Sequence, residues 1–154
     1  MFSIGDIICY PMHGVGVIES IEHHTVLGES GDYYSLRFAN GRMTALVPVA
    51  TAEKVGLRSL ILPEECAGVI DYMHTEGDRG SDNWNQRYRE NLDKLRVGNI
   101  YGVADVVKCL RIREAEKGLS AGERKMLIMA RGIIISELAA VMHKEASYIE
   151  EQIG

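Results

Sequence analysis

The stretch Tyr33-Tyr34-Ser35-Leu36-Arg37-Phe38-Ala39-Asn40-Gly41-Arg42-Met43-Thr44-Ala45-Leu46-Val47-Pro48 decides the fold of the N-terminal part of the chain. From Tyr33 to Phe38 large apolar and polar residues alternate, the period of a strand that buries one face. Asn40-Gly41 then favours positive φ at both central positions of a two-residue hairpin, and Met43 to Pro48 supplies the returning strand. Upstream, Gly5-Asp6 precedes Ile7-Ile8-Cys9-Tyr10, Pro11 ends that run, and Gly14-Val15-Gly16-Val17-Ile18 resumes it with two glycines suited to a bulge or a tightly bent barrel strand. A strand over Glu22 to Val26 and a turn over Gly28 to Asp32 complete the segment. Short strands at regular intervals, with no helix between them, predict a small, strongly curved barrel of the SH3 or Tudor kind over residues 1–60.

Downstream the period becomes helical. Thr51 to Val55 makes one short turn, and Pro63 at a first-turn position introduces a helix from Glu64 to Met73. A polar loop, His74 to Asp82, contains Gly77 and Gly80. Trp84, Tyr88, Leu92 and Leu95 then repeat at helical spacing behind Ser81 or Asp82 as a cap. Ile100, Val103, Val107 and Leu110 mark the next helix, which ends near Gly118. Ser120-Ala121-Gly122-Glu123 has the spacing of a capping box, and Met126, Met129, Ala130, Ile133, Ile134, Leu138 and Val141 give the helix after it a broad apolar face. Tyr148, Ile149 and Ile153 belong to a shorter last helix. The fold class is therefore α+β, a small β-barrel followed by a compact all-α domain over residues 61–154.

Composition narrows the class of function. The chain of 154 residues is 46% hydrophobic and 25% charged, ordinary for a folded globular protein. No apolar run approaches the roughly 20 residues of a membrane helix, so no membrane association is expected and a cytoplasmic location follows. Cys9, Cys66 and Cys109 are widely separated in apolar surroundings, which predicts buried thiols rather than disulfides or a metal site. His13, His23, His24, His74 and His143 lack metal-ligand spacing, and neither a glycine-rich phosphate loop nor a GxSxG motif occurs. No enzyme activity, cofactor, metal or small-molecule substrate is expected.

The formal net charge of −5 is unevenly spread. Residues 1–78 carry −7, residues 79–131 carry +5, and residues 132–154 carry −3. The basic segment opens with Ser81-Asp82-Asn83-Trp84-Asn85-Gln86-Arg87-Tyr88-Arg89, which holds the single tryptophan. Two readings of Trp84 stand side by side: a flat ring that lies on a nucleobase while arginines hold phosphates, or an anchor in a hydrophobic core.

Gly5-Asp6, Tyr10-Pro11, His13-Gly14, Val47-Pro48, Asn83-Trp84, Arg87-Tyr88, Asn91-Leu92, Lys94-Leu95 and Gly118-Leu119-Ser120-Ala121-Gly122-Glu123, in this order and spacing, resemble the CarD/CdnL family of bacterial transcription regulators. The resemblance implies a Tudor-like domain, shared with the transcription-repair coupling factor, that binds the RNA polymerase β subunit. It also implies a helical domain that reaches promoter DNA, where the residue matching Trp84 wedges into the minor groove at the upstream edge of the bubble and stabilises the open complex. Location at the nucleoid through polymerase would follow. By the same resemblance His24, Thr25 and Val26, with a paired strand through Ala45, Leu46 and Val47, form the polymerase surface. Arg87 and Arg89 flank the wedge. Arg124 and Lys125 are further DNA contacts, with Arg111 and Arg113 as weaker candidates. Gln86, His24 and Leu46 depart from relatives that carry arginine there, which implies fewer phosphate contacts and a more apolar polymerase contact. The alternative is a Tudor-like RNA- or ribosome-binding module with a helical oligomerisation domain.

Overall fold

The structure is a computed structural model that describes residues 1–38 and 43–154. The expected Asn40-Gly41 turn lies outside the described residues. Among the described residues five strands form one antiparallel sheet: β1 (Ile7–Tyr10), β2 (Gly14–Val26), β3 (Glu29–Phe38), β4 (Thr44–Pro48) and β5 (Arg58–Ser59), in the order β4-β3-β2-β1-β5. Its inner face buries Ile8, Ile18, Tyr34, Leu36, Phe38 and Val47 as one cluster. β4 and β5 are the two edges of this sheet.

Three sequence expectations change here. Glu22 to Val26 is no separate strand but the end of the long β2, and the turn is tighter than Gly28 to Asp32. Leu27 and Gly28, at φ 52° and 81°, make a two-residue turn between Val26 and Glu29, which pair directly. Positive φ at both central positions matches the right-handed twist of the strands, so Gly31 and Asp32 continue β3. The irregularity in β2 falls between Ile18 and Ser20, not at the glycines. Gly16 instead permits close approach, because a Cβ there would lie 2.9 Å from the Arg37 carbonyl and 3.1 Å from the Phe38 ring.

Five helices follow: α1 (Cys66–Met73), α2 (Trp84–Val97), α3 (Ile100–Lys117), α4 (Ala121–Met142) and α5 (Ala146–Ile153). α1 begins after a single 3₁₀ turn over Pro63–Glu65, where the proline ring suits the first helical position. α2 ends at Gly98, left-handed at φ 81°, and α3 starts at once under an Asn99 cap on the Tyr101 N–H. Val69, Leu95, Val107, Leu110, Ile134, Leu138, Ile149 and Ile153 lie in one core shared by all five helices. No single helix is long and apolar enough to cross a membrane among the described residues.

Candidate nucleic-acid interface

Trp84 is the first residue of α2. The cap is Asn83, whose Oδ1 accepts the Gln86 N–H at 2.9 Å, and neither Ser81 nor Asp82. Asp82 is occupied elsewhere: its carboxylate accepts from Arg113 at 3.1 Å and from Arg79 at 3.3 Å, and Arg113 holds it below the usual carboxylate range. Ser81 Oγ accepts the Asn83 N–H at 3.2 Å, ahead of the helix, and its carbonyl accepts from Arg87 at 2.8 Å and Arg113 at 3.0 Å.

The indole is 42% exposed, unlike any core anchor in this chain. It stacks on Tyr88 one turn along α2, with centroids 5.1 Å apart and planes at 21°, and its Nε1–H donates to Ser120 Oγ at 3.2 Å. Ser120 in turn caps α4 by accepting the Glu123 N–H. The tryptophan therefore sits where the N-terminal ends of α2 and α4 meet, held by one stacking contact and one hydrogen bond. An aromatic ring fixed in this way reaches a partner with little rotamer freedom left to lose.

Arg87 does not flank the indole as a free cation. It is buried: Nε donates to Glu123 Oε2 at 2.9 Å, Nη2 to Glu123 Oε1 at 3.1 Å, and Nη1 to the Ser81 carbonyl. Hydrogen bonding to Glu123 raises its pKa further. The reciprocal half of the expected capping box is lost for the same reason, since the Glu123 carboxylate turns to Arg87 rather than to the Ser120 N–H. Arg113 is likewise buried and binds the Arg79, Gly80 and Ser81 carbonyls. Arg111 donates to the carbonyls of Ile153 and Gly154. These three arginines fold the loop and the C-terminal end. Arg89, Arg124 and Lys125 are exposed and make no ion pair among the described residues, and the latter two lie in the first two turns of α4, close after Ser120.

The six residues expected on the partner surface do not share one face. β3 separates β2 from β4, so the strand through Thr25 is not paired with the strand through Leu46. Cross-strand registers place Ser20 opposite Ser35 and Ser35 opposite Leu46; alternation then puts His24, Val26 and Leu46 together on the outer face. Val26 and Leu46 are 48% and 49% exposed. Val47 is 1% exposed and belongs to the inner cluster, Ala45 packs against that cluster, and Thr25 bonds Ser30 on the side away from His24. On the outer face Glu22 accepts from His24 at 3.0 Å and from Ser20 at 2.9 Å, and these bonds lower its pKa.

Two family models match the chain. "CarD-like/TRCF RID domain" covers residues 2–61, and "CarD, C-terminal domain" covers residues 68–154. The chain belongs to the CarD family. It is also 39% identical, over 142 residues that span 92% of either chain, to the Bacillus subtilis (strain 168) protein named "Putative transcription factor YdeB". The CarD family is one of transcription regulators and not a class of enzymes. Among the described residues of this CarD chain, no three His, Cys, Asp or Glu side chains converge as a metal set. Sequence reasoning missed what holds the CarD tryptophan, namely Tyr88 as a stacking partner and Ser120 as an acceptor. The four-residue spacing of Trp84 and Tyr88 was a usable signal; the contact to Ser120 spans 36 positions and had none.

Proposed function

We propose that this CarD-family regulator binds the RNA polymerase β subunit through its sheet domain and stabilises promoter open complexes with Trp84. The observation that carries the reading is the exposed indole, stacked and hydrogen-bonded at the junction of α2 and α4, the helix that also carries the exposed Arg124 and Lys125. A stiff apolar ring can part a distorted base step in the minor groove, while neighbouring cations neutralise the crowded phosphates. Arg89 belongs to the same phosphate-contacting group. Arg87 has another part, supporting the base of the wedge through Glu123.

Minor-groove contacts distinguish base pairs poorly, so DNA preference follows bubble position and deformability rather than sequence. His24, Val26 and Leu46 on the outer face form the polymerase contact, of apolar character, and the protein is carried to the nucleoid by polymerase. The test is the lifetime of a promoter open complex formed by purified bacterial polymerase, with and without this protein. The lifetime lengthens under this reading. An unchanged lifetime at saturating protein would overturn it.

A further inference from the structure

The joint between the two parts of the molecule carries a role of its own. Arg58, in the edge strand β5, extends its guanidinium into the helical domain. Nη1 and Nη2 donate to the two carboxylate oxygens of Glu137 at 2.7 and 2.8 Å, and Nε donates to the Gly98 carbonyl at 3.1 Å. Glu137 lies in α4 at 0% exposure and also accepts the Ile61 N–H at 2.9 Å. A carboxylate so placed is satisfied only while the sheet stays docked, because separation would leave a buried charge unpaired or force water into the core.

Two further contacts surround this pair. A Cβ at Gly56 would lie 2.6 Å from Pro11, and one at Gly98 would lie 2.8 Å from it, so the proline ring sits between a glycine of each part. Gly14, at φ 82°, approaches Ser136 so closely that a Cβ would be 3.2 Å from its hydroxyl. Contacts at β5, at the β1–β2 turn and at the start of β2 bear on α4 and the α2–α3 corner from different sides.

We propose that Arg58 and Glu137 are positioning residues that hold sheet and helices as one rigid body, so that docking of the sheet on polymerase fixes where Trp84 meets the DNA. The inference rests on the proposed function and adds a geometric requirement to it. Two modules on a flexible tether keep only the effective concentration that the tether allows, whereas a rigid joint delivers the second contact already aligned. Arg58 and Glu137 touch neither partner in this account. Their effect reaches the DNA only through the place of the indole.

The experiment uses the full chain with nitroxides on Glu19→Cys and Asp93→Cys, both exposed, while the native cysteines are buried. Electron–electron distance distributions, polymerase affinity and open-complex lifetime are measured for the parent chain, Arg58→Gln and Arg58→Lys. The parent gives one narrow distance. Arg58→Gln broadens it, leaves polymerase affinity within about two-fold, and removes most of the lifetime gain, a loss on the order of ten-fold as the rigid joint becomes a flexible tether. Arg58→Lys, which keeps one charged bond, falls between. Should Arg58→Gln not fold, Pro11→Ala loosens the same joint without stranding a charge, and the same separation of readouts applies. A narrow distance in a folded joint variant, or a broad one with parental lifetime, overturns the inference. A parental protein that fails to lengthen the lifetime counts against the proposed function instead, and the distance measurement still decides whether the joint is rigid.

Discussion

Arg87 and Glu123 form a two-pronged ion pair, at 2.9 and 3.1 Å, inside the joint between α2 and α4, and Trp84 stands at the rim of that joint. The relationship separates two kinds of arginine in the basic segment. Removal of Arg87 leaves the Glu123 charge buried without a partner, which costs about 3 to 5 kcal/mol. Thermal melting of Arg87→Ala is expected to fall sharply, by a similar amount in low and high salt. Arg89→Ala and Arg124→Ala are expected to melt within ~0.5 kcal/mol of the parent and to weaken DNA contact in a salt-dependent way. A parental melting temperature for Arg87→Ala would return that residue to the phosphate-contacting group.

Ser120 serves two neighbours at once, capping α4 and accepting from the indole. Ser120→Ala is expected to cost about 1 kcal/mol through the lost cap, whereas Ser120→Gly costs only a few tenths. Both free the indole edge. Because Trp84 is the only tryptophan, its fluorescence anisotropy reports this directly, and it should drop in both variants. Unchanged anisotropy would mean that Tyr88 alone holds the ring.

Adjacent positions on β4 should behave oppositely. Leu46→Glu replaces a half-exposed side chain and is expected to preserve melting while weakening polymerase binding. Val47→Glu puts a carboxylate into the sheet core, where burial without a partner costs several kcal/mol, and soluble expression should collapse. Equal loss of fold in both variants would place Leu46 in the core after all.

Much of this architecture was legible because it rests on local rules. The alternation from Tyr33 to Phe38 and the 3.6-residue periods from Trp84 onward survive in the structure as strand and helices. What escaped depends on partners distant in the chain. Asp82 looked like a cap until Arg113, 31 positions away, took its carboxylate. The sequence around Arg87 suits a phosphate ligand because its acceptor, Glu123, lies 36 positions away in what has the spacing of a capping box. Glu137 has no local partner in an apolar helix, and only the three-dimensional approach of Arg58, 79 positions away, explains a buried carboxylate there. Met129 is 40% exposed rather than core, since α4 leaves that face to a groove beside His13 and Phe38. Exposure of Trp84 was undecidable from spacing, because a core anchor and a surface ring share the same helical stripe.

Burial pushes the Cys9 thiol up to about 12. Its folded pKa thus exceeds the unfolded value near 8.5, so the neutral thiol is favoured by folding. The stabilisation is complete below about pH 8.5 and is lost as pH rises towards 12, because only the unfolded chain releases the proton readily. Comparison of melting between roughly pH 7 and pH 10, either side of the free thiol value, should show a steeper decline for the parent than for Cys9→Ala. Identical slopes would show that the thiol ionises as freely in the folded protein.

Trp84→Ala separates an action of the indole on DNA from a part in the fold when open-complex lifetime is measured beside polymerase affinity and melting. A base-stacking contact is worth roughly 1 to 3 kcal/mol, so the open-complex equilibrium should shift about five- to hundred-fold. Polymerase affinity should stay close to parental, and melting should fall far less than the about 3 to 5 kcal/mol of a core tryptophan removed. A folded Trp84→Ala protein that binds polymerase and prolongs the open complex as well as the parent would contradict the account.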